Sequence, residues 1–307
     1  MSVKISNLSK IYGEQKAVNN ISFEAKEGEI LGFLGPNGAG KSTTMKIATC
    51  YLSPSMGKVE VCGHDVEKSP LEVRKIVGYL PEHNPLYLDM YVKEYLGYVA
   101  GLNKIKGAKR KGRIAEMVEL VGLQREQHKK IGALSKGYRQ RIGLAQALIH
   151  DPKVLILDEP TTGLDPNQIL EIRQVIKNIS KEKTVIFSTH IMQEVQALCD
   201  RVIIINLGQI VADSSVELLK QQAGDIKILL EFDEAIDLAV LGALEGVKQL
   251  NELGNCQYEV IADGEEDIRS ELFKLAVREN WVLKGMAKEE LSLERIFHQL
   301  TKAPAVT

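Results

Sequence analysis

The chain has 307 residues, 44% hydrophobic and 26% charged, with a formal net charge of −2, which suits one large globular domain plus a small one and excludes disordered and fibrous classes. No run free of Asp, Glu, Lys and Arg exceeds 11 residues, well short of the ~20 apolar residues a membrane-spanning helix needs. The first residues, Met1-Ser-Val-Lys-Ile-Ser-Asn, contain no apolar core of a secretory leader, so none is expected.

Val3, Ile5 and Leu8, then Ile21, Phe23 and Ala25, alternate with polar residues and predict two antiparallel strands. The apolar run 29–34 predicts a buried strand, and Ser42–Cys50 predicts a helix. From the strand's end into the helix's first turn run Gly35, Pro36, Asn37, Gly38, Ala39, Gly40, Lys41, Ser42 and Thr43, a full G-x-x-x-x-G-K-[ST] loop. Small residues there let backbone N–H groups close around phosphates, Lys41 reaches the outer phosphates, and the Ser42 hydroxyl is a Mg²⁺ ligand. The helix N-terminus that follows favours the same anion.

Lys58–Cys62 predicts a further strand, and the three- and four-residue spacing of Ile114, Met117, Val118 and Val121 marks a helical region from about 90 to 150. Within it Lys104, Lys106, Lys109, Arg110, Lys111 and Arg113 read as a solvated loop between helices. A surface for anionic lipid headgroups is the functional alternative. No aromatic residue interleaves with these charges, so nucleic acid is not an expected partner. Val154–Leu157 and Thr184–Phe187 are short all-apolar runs, as in buried parallel strands. The first ends in Asp158 and Glu159. In phosphate-loop enzymes an acid at such a strand end holds Mg²⁺, directly or through water. Glu159 is placed to orient or deprotonate an attacking water.

Beyond residue 224 strand-like pieces (Ile226–Phe232, Tyr258–Ala262) alternate with helix-like ones (Glu266–Glu279, Glu289–Thr301), predicting a small α+β domain. Residues 1–223 carry 30 basic and 24 acidic side chains, and residues 224–307 carry 9 and 17. This change of sign supports a division into domains 1–223 and 224–307. Cys50, Cys62, Cys199 and Cys256 are far apart and are expected to be free, mostly buried thiols in a reducing cytosol, not a metal site.

Leu134-Ser-Lys-Gly-Tyr-Arg-Gln-Arg141 resembles the signature motif of ABC-type ATPases, usually written LSGGQ with a basic tail. Gly163-Leu-Asp-Pro166 resembles the family's D-loop, and Ser188-Thr-His190 its switch histidine. Tyr12 stands where the family places an aromatic that stacks on adenine. The motifs run in the family's order over roughly residues 1–220. The resemblance implies an α/β phosphate-loop cassette with a mostly parallel core sheet, an antiparallel β subdomain and a helical subdomain. It also implies ATP hydrolysis with Mg²⁺, and a homodimer or paired cassettes in the ATP-bound state. Each ATP would touch the phosphate loop of one subunit and Ser135 and Gly137 of the other. His190 and Lys41 would hold the γ-phosphate, and Asp165 would link the two sites.

Three positions depart from the pattern. In the signature Lys136 replaces the usual Gly and Tyr138 the usual Gln, and Glu82, in Val77-Gly-Tyr-Leu-Pro-Glu82, replaces a Gln that binds Mg²⁺ and senses the membrane partner. Glu82 retains a carboxylate oxygen for Mg²⁺ but cannot donate a hydrogen bond. Lys136 either adds positive charge near the partner's ATP or faces solvent. The stretch Gly78–Tyr91 resembles ATP-binding subunits of bacterial ABC-2 type exporters, and most closely the gliding-motility ATPase subunit of the Bacteroidetes group. Leu291–Phe297 resembles the C-terminal helix of drug-exporter subunits. The implied chain is a peripheral subunit on the cytoplasmic face of the inner membrane, paired with a separate membrane-spanning permease. A soluble ABC ATPase acting on ribosomes or nucleic acid is the alternative. Against it, Lys41 and Ser135 lie too close in sequence for the coiled-coil insertion of repair-type members, and there is one cassette where translation-factor members have two.

Overall fold

Strands β1 (Val3–Tyr12) and β2 (Gln15–Ala25) pair antiparallel, as their alternation predicts, and Val3, Ile5, Leu8, Ile21, Phe23 and Ala25 are all buried. β3 (Ile30–Leu34) is buried at every position and leads through the phosphate loop into helix α1 (Lys41–Ala48). β4 (Met56–Val61) pairs antiparallel with β1, and β5 (His64–Asp65) with β4, completing the sheet β2-β1-β4-β5. Next come α2 (Pro70–Ile76), β6 (Val77–Leu80) and three helices, α3 (Val92–Leu102), α4 (Gly107–Leu120) and α5 (Lys136–Leu148). Then follow β7 (Val154–Asp158), α6 (Pro166–Ser180), β8 (Thr184–Thr189), α7 (Met192–Leu198), β9 (Arg201–Asn206) and β10 (Gln209–Ser215).

The second sheet has the order β10-β9-β3-β8-β7-β6, with parallel pairing from β9 through β6. Strands buried on both faces read as continuous apolar runs and not as alternation, which is why β3, β7 and β8 show no polar face. Phe33, Leu31, Ile156 and Ile186 join the core shared with the antiparallel sheet, each contributing roughly 1.5–3 kcal/mol relative to exposure. This packing holds the carboxyl ends of β3, β7 and β8 side by side, the edge of an open α/β sheet where ligands bind.

The computed structural model describes residues 2–222, 225–263, 267–289, 297, 300 and 301. It separates the chain into units 1–214 and 215–307, a boundary just ahead of the 223/224 division read from charge. The later unit contains α8 (Val216–Gln222), β11 (Asp225–Phe232), α9 (Leu238–Gly242), β12 (Val247–Gly254), β13 (Gln257–Asp263), α10 (Arg269–Arg278) and β14 (Leu283–Glu289). Its sheet, β12-β13-β11-β14, is antiparallel throughout, over a core that includes Phe232, Tyr258, Val260 and Leu272.

Several expectations are corrected. The basic run is not a loop: Lys109, Arg110, Lys111 and Arg113 lie on α4. Arg113 is tied down, donating to Leu148 O and Ile149 O. Strands β12 and β14 carry no clean period-two pattern and escaped the reading. Of the four free cysteines only Cys199 is buried; the others are half-buried. The helix expected over Glu289–Thr301 falls almost wholly outside the described residues.

Candidate functional site

The loop after β3 is shaped by two glycines for which no other residue fits. A Cβ on Gly35 would lie 2.4 Å from Ile205 O. Gly40 adopts φ +107°, a conformation L side chains avoid, and a Cβ there would lie 2.5 Å from Ala17 O. α1 therefore starts at Lys41 with its first N–H groups turned into the loop, and its first turn contains no acidic side chain. That leaves a positive end for an anion.

Lys41 is buried. Its ammonium donates to Gly35 O at 2.7 Å and Pro36 O at 3.3 Å, and lies 3.4 Å from Glu159 Oε1. Asp158 closes β7, with Oδ1 accepting from Ser188 Oγ at 2.5 Å and Ser42 Oγ at 3.2 Å. Burial pushes its carboxyl above the usual carboxylate range. Those two hydrogen bonds oppose the shift, and the charges of Glu159 and Glu82 add to it.

Glu159 leaves the strand at φ +51°, a costly conformation for a residue with a side chain. Its N–H is held there by Ser188 O at 3.1 Å and Ser188 Oγ at 3.2 Å. The carboxylate is buried among three groups: Lys41 at Oε1, and at Oε2 both the Thr162 hydroxyl, 3.1 Å, and His190 Nδ1, 2.8 Å. Among the described residues Oε1 has no hydrogen-bond partner, so it retains capacity for a proton donor. His190 follows β8 and is partly exposed; its contact to Glu159 fixes the ring. The turn bearing it is anchored from below, where Thr189 Oγ1 donates to the buried Glu194 at 2.7 Å and accepts from Ile191 N–H at 3.0 Å.

These groups converge on a cleft of about 470 Å³, lined by Ala17, Asn37, Gly38, Gly40, Lys41, Ser42, Thr43, Glu82, Glu159, Thr162 and His190. Glu82 also borders a neighbouring cavity of about 410 Å³ that reaches Ser42 and Asp158. A larger cavity of about 540 Å³, around Cys50, Arg74 and Tyr79, does not include the phosphate loop.

Other residues singled out in the sequence lie outside this cleft. Tyr12 ends β1 with 47% of its surface exposed and the Lys10 ammonium 5.3 Å from its ring centre. Asp165 is the N-cap of α6, accepting from Gln168 N–H at 2.9 Å, with Pro166 in the first turn, the pairing that starts a helix well. Ser135 caps α5 without using its hydroxyl on its own helix, and Gly137 is buried against the Gln168 side chain. Ser188, which holds both acids, was legible only as part of a strand end. Thr162 and Glu194 gave no signal, since neither belongs to a spacing that chemistry demands.

The ABC transporter family model matches residues 18–162. The chain is 40% identical over 220 residues to an uncharacterized ABC transporter ATP-binding protein of Bacillus subtilis, covering 72% of this chain and 73% of that one. It is 40% identical over 222 residues to the bacitracin transport ATP-binding protein of Bacillus licheniformis, covering 72% of each. Similarity to the linearmycin resistance ATP-binding protein of Bacillus subtilis extends over 305 residues at 32% identity, covering 97% of this chain and 98% of that one. Among solved structures, the ATP-binding subunit of an ABC transporter aligns with TM-score 0.66 at 27% identity, over 72% of this chain and 93% of that one. A dimeric post-hydrolysis cassette bound to ADP and phosphate aligns with TM-score 0.65 at 27% identity, over 70% and 98%.

Proposed function

Because this chain belongs to the ABC transporter ATP-binding subunits, which bind and hydrolyse ATP, we propose that it drives an exporter whose membrane-spanning part is a separate polypeptide. The observation that carries the reading is the convergence of Lys41, Glu159 and His190 on the phosphate loop. The loop amides and Lys41 bind the β- and γ-phosphates. Glu159 accepts the proton of the attacking water, and His190 holds Glu159 in place while facing the γ-phosphate. Little covalent chemistry is asked of these groups; they position reactants and neutralise developing charge. The Ser42 hydroxyl and Asp158, with Glu82 at the cleft wall, are hard oxygen donors that suit Mg²⁺, which is held by few protein ligands beside substrate phosphates and offsets their charge.

Ser135 and Gly137 do not line this chain's own cleft, which supports a reading in which they serve the ATP of a second cassette. Homodimerisation on ATP follows, with Asp165 at the junction. Glu82 borders both the cleft and the cavity beside it, a position suited to reporting a permease to the nucleotide. No helix among the described residues is long and apolar enough to cross a membrane, and a permease partner would hold the chain at the cytoplasmic face. The full-length likeness to a linearmycin resistance protein and the likeness to a bacitracin transport protein support an ABC-2 exporter. The gliding-motility subtype rests on Gly78–Tyr91 alone within the described residues.

Purification of the tagged chain from native membranes in mild detergent, with mass spectrometry of stoichiometric partners, tests this. A multi-span protein is the expected partner. Ribosomes or nucleic acid in its place would overturn export while leaving the ATPase intact.

A further inference from the structure

The one cation in the signature that departs from its family's pattern touches the D-loop of its own chain. The Lys136 ammonium fills the space over Gly163: a Cβ on Gly163 would lie 2.2 Å from Nζ. Gly163 adopts φ +72°, so the chain turns sharply beneath the lysine. The surrounding contacts keep the two segments together. The Gln168 carboxamide occupies the space over Gly137, Arg141 forms an ion pair with Glu171, and Asp165 caps the helix bearing both partners. Immediately before Gly163, the Thr162 hydroxyl donates to Glu159 Oε2 at 3.1 Å, the oxygen that also faces His190. From Lys136 to the carboxylate there are therefore two contacts and one peptide link. Among the described residues no ion pair engages Lys136, so its charge is available to a phosphate arriving at Ser135 beside it.

We propose that Lys136 is a positioning residue that relays occupancy of the signature to Glu159 of the same chain through Gly163 and Thr162. Resting over Gly163, it sets the D-loop turn and hence the aim of the Thr162 hydroxyl. The γ-phosphate of an ATP held by the partner cassette competes for the same ammonium, so hydrolysis in one cleft responds to nucleotide in the other. This rests on the two-cassette reading above.

The test is a double-mutant cycle on the full chain, with steady-state ATPase kinetics of Lys136→Gly, Thr162→Val and the double variant. Shared packing is not by itself proof of coupling; non-additivity is. Lys136→Gly is expected to lower kcat about fivefold, the lower end of ordinary coupling. The double variant should lose no more than Thr162→Val alone, and Lys136→Arg should recover most of the loss. The acid limb of the kcat–pH profile should move in the same direction in both single variants, which a merely structural role would not produce. Additive losses, or an unchanged kcat in Lys136→Gly, overturn the relay. Light scattering of Glu159→Gln with ATP separates this from the parent reading. A dimer with additive kinetics sinks the relay alone, whereas a chain that stays monomeric at saturating ATP sinks both.

Discussion

His190 Nδ1 lies 2.8 Å from Oε2 of Glu159, while the Lys41 ammonium lies 3.4 Å from the other oxygen of the same carboxylate. The carboxylate proposed as the general base is thus flanked by two nitrogen groups, one from the start of α1 and one from the turn after β8.

Replacing Glu159 with Gln keeps the shape and removes the proton acceptor. Turnover should fall by about 100-fold or more, the usual scale for a positioned base, while ATP binding persists. Fluorescent-nucleotide titration alongside phosphate release checks this; a variant that keeps normal kcat would remove Glu159 from the role.

Gly40→Ala introduces a side chain at φ +107° and within 2.5 Å of Ala17 O. The backbone strain alone costs at least about 1 kcal/mol, and the clash displaces the start of α1. Thermal melts should show the destabilisation and calorimetry a loss of ATP affinity. Normal affinity in the variant would mean that the loop tolerates a different path.

Tyr12→Ala removes an exposed ring at the end of β1. Ring stacking on a base is worth roughly 1–3 kcal/mol, so KM for ATP should rise about tenfold with little change in kcat. Equal KM values for ATP in the two proteins would assign Tyr12 to the strand edge alone.

His150 follows α5, with Nε2–H donating to Val77 O at 3.0 Å and Nδ1 buried without a partner among the described residues. Burial holds its pKa below the ordinary histidine value. Above about pH 6.5 both folded and unfolded chains carry it neutral and stability is flat. As pH falls below that value the unfolded chain takes up the proton first, so this contribution to stability is lost progressively until the folded pKa is passed. Urea melts from pH 8 to pH 5.5 should show a decline that is shallower in His150→Gln. Parallel curves for the two would exclude the histidine as the cause.

The phosphate loop, β7 with its two acids and the antiparallel β1–β2 pair were legible in the sequence because backbone geometry or burial restricts the residues allowed there. Gly40 has no substitute, and a strand covered on both faces has to be apolar throughout. The later unit was less legible. β12 has no fully buried residue and β14 contains Gly285 among lysines, and the partly buried Val247, Leu250, Leu283 and Met286 do not fall into a period-two alternation. The partners of the acids were harder still. Ser188, Thr162 and Gln168 act through tertiary proximity, and hydroxyl or amide side chains at those places read equally well as turn or cap residues.

Lys41 is already coordinated by Gly35 O, Pro36 O and Glu159, so nucleotide capture is an exchange reaction and not a simple addition. Each phosphate oxygen that reaches the ammonium displaces a carbonyl or the carboxylate, and the measured affinity is the difference between the two sets of contacts. The same exchange acts as an interlock. If Glu159 is the base proposed above, its carboxylate gives up the lysine when nucleotide phosphates claim it, so the base is released as substrate arrives.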